Sequence, residues 1–189
     1  MTRPAGGDGR ARFFFDLASP RAYLAAERVN HVLGAVPEWV PIRSEPGPFR
    51  CAEEIAAYRE DIERAAAAQG VQALRWPEPF PADSDWAMLA ATYAKQIGRA
   101  VAFSLAAFRQ AFAAGRDLGE RDTVLLAAAA CEMHPAAVIK GAELRGTRER
   151  LEAAEAEAAA AGVREVPAVV TAAGAVIEVP LARGEGSRA

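Results

Sequence analysis

The sequence has few of the residues on which metal and redox chemistry depend. Its 189 residues include two cysteines, Cys51 and Cys131, and two histidines, His31 and His134. The cysteines lie far apart in the chain, so the sequence predicts neither a disulfide framework nor a Cys-x-x-Cys redox pair. The same scatter leaves little material for a zinc site, which needs four ligands at close spacing.

Long apolar runs and an excess of basic charge are also absent. The longest apolar runs, such as residues 124–131, are far shorter than the roughly 20 residues of a membrane span. The net charge is −3 and arginine alternates with glutamate, which argues against a nucleic-acid partner. The first 12 residues lack the apolar segment of a secretory signal. We therefore expect a cytoplasmic protein whose partner is a small molecule or another protein.

The clearest local pattern is a strand, a turn and a helix near the start of the chain. Residues 12–17 (RFFFDL) form a short aromatic run that is typical of a buried strand. Ser19 is placed as the N-cap of a helix and Pro20 as its first residue, and the apolar spacing continues to Gly34. A second strand is predicted at residues 39–42, where Pro41 indicates an edge strand or an early end.

The rest of the chain is predicted to be helical until a C-terminal hairpin. The helices are expected at residues 52–69, 84–97, 99–114, 121–133, 135–144 and 147–161, and the hairpin strands at 166–171 and 175–179. Residues 76–83 contain three prolines, which impose an extended loop. This order predicts an α/β, thioredoxin-like domain over residues 12–179, with a helical insertion at about residues 50–145. A disordered leader (1–11) and a flexible tail (180–189) would flank it.

Three segments carry a resemblance to a known family. Residues 13–25 (FFFDLASPRAYLA) resemble the opening of 2-hydroxychromene-2-carboxylate isomerases and kappa-class glutathione transferases, which are relatives of the DsbA-like thiol oxidoreductases. In that opening an aspartate, here Asp16, is followed by Ser19-Pro20 and then by Tyr23-Leu24. Residues 80–88 (FPADSDWAM) and 162–170 (GVREVPAVV) are similar to later segments of the same family, in the same order.

The resemblance implies a cofactor and a site. The cofactor would be glutathione or another low-molecular-weight thiol, with the Ser19 hydroxyl stabilising its thiolate. A hydrogen bond to a charged group contributes about 1.5–3 kcal/mol, and a helix N-terminus adds roughly 0.3–1 kcal/mol. Val166 and a cis Pro167 would hold the main chain of the cofactor, opposite the helix that follows Ser19. A small electrophile would be the substrate, and a homodimer is expected.

The substrate pocket and several alternatives complete the hypothesis. Tyr23, Trp76 and Phe80 are candidates to line the pocket, although core packing explains each of them as well. Ser19 is also explained as an ordinary N-cap. Glu165 replaces a family glycine, and the segment after the hairpin lacks a family aspartate motif, which favours a thioredoxin-fold binding protein without catalysis. A DsbA-like oxidoreductase is the third alternative, but no second thiol near Ser19 is evident in the sequence to resolve a mixed disulfide.

Overall fold

The structure is a computed structural model that describes residues 9–44, 47, 49–177 and 179. The predicted flexible tail and all but the last three residues of the predicted leader lie outside these residues. None of the helices in the described part is long and apolar enough to cross a membrane.

Four strands and eight helices make up the described chain. The strands are β1 (Arg12–Phe15), β2 (Glu38–Pro41), β3 (Ala168–Val170) and β4 (Val176–Ile177). The helices are α1 (Pro20–Ala26), α2 (Val29–Leu33), α3 (Ala52–Gln69), α4 (Asp85–Gln96), α5 (Ala100–Phe112), α6 (Arg121–Ala129), α7 (Pro135–Glu143) and α8 (Arg145–Ala160).

The strands form one mixed sheet in the order β2-β1-β3-β4. β1 is parallel to β2, with Phe13 opposite Trp39, and antiparallel to β3, with Phe13 opposite Val169. β3 and β4 form the predicted hairpin. Pro41 lies in β2, an edge strand, as the sequence predicted, because an edge tolerates the missing N–H group of proline. Together with the helices between β2 and β3, this sheet confirms the predicted thioredoxin-like fold class.

The two faces of the sheet are covered by different helices. Phe13 and Phe15 belong to the main core, which includes residues of α1, α4 and α5, whereas Phe14 packs in a second cluster with Ala158 of α8. Successive side chains of a strand point to opposite faces, so the run of three phenylalanines fills both layers. β1 is therefore buried on both sides, and the turn that follows it has a rigid base.

Several boundaries differ from the predictions, and three of these differences concern the Ser19 turn, the helix that follows it and α6. β1 ends at Phe15 rather than at residue 17, because Asp16 begins a turn in which its carboxylate accepts the Ala18 N–H. The helix predicted to reach Gly34 is divided between α1 and α2 at Glu27 and Arg28, where neither proline nor glycine signals a stop. α6 ends at Ala129, not at residue 133, because the chain turns through Glu132, whose φ is +59°.

We expect Gly141→Ala to destabilise the protein by about 1–3 kcal/mol, the usual cost of overpacking a core. A Cβ atom at Gly141 in α7 would clash with the Tyr93 ring of α4. Gly146 is the matched control, because a Cβ atom there meets only the flexible tip of Arg150 at 3.1 Å. Gly146→Ala should stabilise by up to about 1 kcal/mol. Urea unfolding measures both, and equal effects would contradict the close packing of α7 on α4.

Candidate active site at the Ser19 turn

The turn between β1 and α1 presents the Ser19 side chain at the start of a helix. The Ser19 N–H donates to the Asp16 carbonyl oxygen at 3.1 Å, which closes the turn. Ser19 Oγ then accepts the N–H of Ala22 at 3.2 Å and acts as the predicted N-cap. Within the described part of the chain, no group accepts the hydroxyl proton of Ser19. This half-buried hydroxyl is therefore available to donate a hydrogen bond to a ligand.

The Asp16 carboxylate connects this turn to two other parts of the chain. It is 2% exposed and accepts four hydrogen bonds. Oδ1 accepts the Ala18 N–H at 2.8 Å and the Ser84 hydroxyl at 2.9 Å. Oδ2 accepts the Ser44 N–H at 2.7 Å and the Ser44 hydroxyl at 3.2 Å. Asp16 thus fixes the Ser19 turn to the segment after β2 and to the start of α4.

Burial and hydrogen bonding act in opposite directions on this carboxylate. Burial raises the pKa of Asp16 above 3.8, whereas the hydrogen bonds from Ala18, Ser44 and Ser84 lower the pKa, and burial prevails. The four donors nevertheless satisfy both oxygens, so the carboxylate has the partners that a buried charge requires. We interpret Asp16 as a residue that positions Ser19.

The sulfur of Met88 also contacts the turn between β1 and α1. The buried Leu17 N–H donates to Met88 Sδ of α4 at 3.3 Å. A thioether is a weak acceptor, but a buried N–H group without any acceptor would cost about 1–3 kcal/mol. α4 therefore holds the turn at two points, through Met88 and through Ser84 at its N-cap.

A cavity of about 810 Å³ opens in front of Ser19. One wall is aromatic, since the Phe49 and Tyr58 rings are 5.2 Å apart and Tyr58 stacks on Phe80 at 6.3 Å. Arg21 lies over the Tyr58 ring at 5.7 Å. Burial raises the pKa of Tyr58, and the charge of Arg21 opposes this only in part, so the phenol is protonated at neutral pH. The volume lies in the usual range for small-molecule sites, about 300–1,000 Å³.

The opposite wall contains an ion pair. Arg43 Nε donates to Glu155 Oε1 at 2.7 Å, the second guanidinium nitrogen donates to Oε2 at 3.0 Å, and the Arg43 N–H also contacts Oε1 at 3.2 Å. Burial alone would raise the pKa of Glu155, but the hydrogen bonds and charge of Arg43 lower it. The pair joins the segment after β2 to α8, and both residues line the cavity.

Comparison with known proteins identifies the family. A family model described as a DSBA-like thioredoxin domain matches residues 11–180. The chain belongs to this family. Comparison with curated proteins finds no significant match.

Solved structures share the fold of this DSBA-like domain at low sequence identity. A 2-hydroxychromene-2-carboxylate isomerase has 18% identity and a TM-score of 0.74, over 84% of this chain and 83% of that one. A probable DsbA oxidoreductase from Streptomyces coelicolor has 23% identity and a TM-score of 0.71, over 89% and 82%. A putative protein disulfide isomerase from Nitrosomonas europaea has 14% identity and a TM-score of 0.67, over 89% and 85%. These likenesses show the fold.

The structure brings together part of the predicted site of the DSBA-like domain. Ser19, Phe80 and Val166 line the same cavity, and the Val166–Pro167 bond is cis, as the resemblance implied. Pro167 is half-buried behind Val166 and does not line the cavity itself. The roles assigned to these residues stay predictions.

Tyr23 and Trp76, the other two predicted pocket residues, do not line this cavity. The Tyr23 ring stacks on Phe112 of α5 at 5.7 Å and contributes to a different cavity. Trp76 packs edge-on against Phe80 at 5.0 Å, and its indole N–H donates to Glu63 at 2.6 Å. Trp76 therefore supports the aromatic wall from behind.

Sequence reasoning gave no role to several groups that shape the cavity. Asp16 had a signal, its place directly after a buried strand, but its partners Ser44 and Ser84 had none beyond the helix start at 84. The Arg43–Glu155 pair joins residues 112 positions apart, and no local pattern indicates it.

Proposed function

We propose that this DSBA-like protein is a thiol-dependent isomerase or transferase acting on a small conjugated electrophile. Glutathione or another low-molecular-weight thiol is the proposed cofactor, and Ser19 stabilises its thiolate. The observation that carries the proposal is the Ser19 hydroxyl, which accepts from Ala22, has no described acceptor for its own proton and lines a cavity of small-molecule size. The resemblance of residues 13–25 supports the same assignment.

The residues that line the cavity near Ser19 fit such a cofactor. The Ser19 hydroxyl would donate to the thiolate, and Val166 lines the same cavity. Arg21 and Arg164 also line it and carry the charge that carboxylates of a peptide thiol require, whereas Arg43 is engaged by Glu155. A bound thiol would supply a nucleophile that adds reversibly to a conjugated enone.

The Ser19 hydroxyl has to stabilise the thiolate more than the dipole of α1 does. α1 has only seven residues, so its dipole is small, and Pro20 offers no N–H group. A free thiol has a pKa of about 8.5, and one charge-assisted hydrogen bond of about 1.5–3 kcal/mol lowers it to roughly 7. The Ser19 hydroxyl alone is therefore sufficient to keep about half of a bound thiol ionised at neutral pH.

Dithiol oxidoreductase chemistry has no support in this cavity. Neither cysteine lines it: Cys51 is exposed at the N-terminus of α3, and Cys131 is buried in the main core. Without a thiol at position 19, a mixed disulfide has no sulfur on which to form. The binding-protein alternative is supported by Glu165, a carboxylate on the cavity wall that would repel an anionic cofactor. The expected homodimer and cytoplasmic location stay predictions.

Calorimetric titration with reduced glutathione tests the proposal, with S-methylglutathione as the matched control that cannot ionise. We expect saturable binding of glutathione, thiolate absorbance near 240 nm at neutral pH with the pKa of the bound thiol near 7, and slow turnover of enones. S-methylglutathione should bind more weakly and give no thiolate absorbance. Equal binding of both compounds, or no binding of any thiol, would favour the binding protein without catalysis.

A further inference from the structure

A second cavity lies on the other side of α1. Its volume is about 850 Å³ and it shares no lining residue with the cavity in front of Ser19. Its walls come from α1 and α2, from the end of α3 at Gln69 and Gly70, and from the end of α5 at Arg109 and Ala113. The proposed function uses none of these residues.

The largely buried side chain of Tyr23 lines this cavity. The residue is 3% exposed, its ring packs on Phe108 and Phe112, and no described residue forms a hydrogen bond with its hydroxyl. Burial raises the pKa of Tyr23, as does the nearby charge of Glu27, so the phenol is protonated at neutral pH and can donate. Within the described part of the chain, the hydroxyl is therefore available to donate a hydrogen bond to a ligand in the cavity.

The charges around the Tyr23 hydroxyl favour an anion as that acceptor. Among the described residues that line the cavity, Glu27 is the only acidic one, and Arg109 engages both of its oxygens, at 2.9 and 3.0 Å. Arg28 and His31 add basic groups. The ends of α3 and α5 offer few acceptors to a cation, because chain N–H groups already occupy carbonyls such as that of Arg109. The lining is therefore basic overall.

We propose that this cavity, which we call the Tyr23 cavity, binds a small organic oxyanion, either a carboxylate or a phosphate ester. The Tyr23 hydroxyl donates to one oxygen of the anion, and the Arg109 guanidinium shares its remaining N–H groups between the anion and Glu27. The ligand would contact the helix that begins at Ser19, because Tyr23 and Glu27 belong to α1 or its C-cap. This site is independent of the thiol proposed in front of Ser19.

The three tyrosines of the chain allow a direct test by NMR with ¹³C-labelled tyrosine. Tyr23 reports on the Tyr23 cavity, Tyr58 lines the Ser19 cavity, and Tyr93 packs under α7 and lines neither. We expect benzoate or inorganic phosphate to shift the Tyr23 signal saturably and to leave the Tyr58 and Tyr93 signals unchanged. Sodium chloride at the same ionic strength is the control and should shift none of the three signals. A response to benzoate alone identifies a carboxylate site, and a response to phosphate alone a phosphate site. No shift at Tyr23, or a parallel shift at Tyr58, overturns the proposal.

We expect two variants to change the affinity for the responding anion in opposite directions. The affinity is measured from the NMR signal of the Ala113 backbone amide. Tyr23→Phe removes only the hydroxyl group and should weaken binding about tenfold. Glu27→Gln removes the carboxylate that competes for Arg109 and should tighten binding several-fold. Ser19→Ala is the control and should leave the affinity unchanged. Unchanged affinity in Tyr23→Phe, or weaker binding in Glu27→Gln with a native Tyr93 signal, would contradict the assigned geometry.

Discussion

An Asp16→Ala variant is expected to lose about 2–5 kcal/mol of unfolding free energy at neutral pH. The part-buried N–H groups of Ala18 and Ser44 would lose their acceptor, and a donor left unsatisfied costs up to about 1–3 kcal/mol when it is fully buried. The Ser44 and Ser84 hydroxyls are less affected, because they can rotate towards other acceptors. Release of the buried charge offsets part of the loss. Urea unfolding, analysed as a two-state transition, measures the difference.

Asp83→Ala provides the control for this effect. Asp83 also lines the Ser19 cavity, but it is exposed and accepts only the N–H of Asp85 at 2.8 Å. Its removal should cost about 1 kcal/mol or less, the typical value for a local cap. If Asp16→Ala were no more destabilising than Asp83→Ala, the role of Asp16 in holding three chain segments together would be wrong.

The effect of Asp16 also has a defined pH dependence. Folding raises the pKa of this carboxyl group above 3.8, so the folded protein holds the proton more tightly than the unfolded chain does. Its contribution to stability is therefore largest below pH 3.8 and declines as the pH rises through the folded-state pKa. The stability gap between wild type and Asp16→Ala should narrow upward from about pH 4. Glu155, whose pKa folding lowers, is present in both proteins and cancels in the difference.

Local patterns were sufficient to predict the scaffold of the site. The aromatic run before Asp16, the N-cap at Ser19 and the proline at position 20 each constrain the backbone within a few residues. Pro41 likewise indicates an edge strand from its own chemistry. These features depend on neighbours in the chain, so a sequence contains all the information needed to recognise them.

Contacts between distant segments could not be predicted in this way. Glu27 and Arg109 are 82 positions apart, and Arg43 and Glu155 are 112 apart, with no periodicity that links them. The helical spacing places Tyr23 on the buried side of α1, but it does not indicate which cavity the hydroxyl reaches. The cavity that the Tyr23 hydroxyl reaches depends on how α5 packs against α1. The position of Trp76, which packs against Phe80 without lining the Ser19 cavity, depends on tertiary packing in the same way.

Substitutions at Ser19 separate its role as an N-cap from its proposed role in stabilising a thiolate. Ser19→Ala removes both functions, because alanine can neither accept the Ala22 N–H nor donate into the cavity. Ser19→Asp keeps the cap, since aspartate is as good an N-cap as serine, but it has no proton to donate at neutral pH and repels a thiolate. The two variants therefore differ in stability, but both lack the hydroxyl that would donate to the thiolate.

We expect Ser19→Ala to lose about 1 kcal/mol of stability and Ser19→Asp to keep the stability of wild type. The thiol-dependent turnover of an enone should fall about 10–100-fold in Ser19→Ala, which corresponds to the loss of one charge-assisted hydrogen bond. It should fall still further in Ser19→Asp, despite the intact helix. Urea unfolding and turnover at saturating substrate measure the two effects separately. If Ser19→Asp retained wild-type turnover, Ser19 would be a cap only, and the thiolate would have to be stabilised by another group of the cavity.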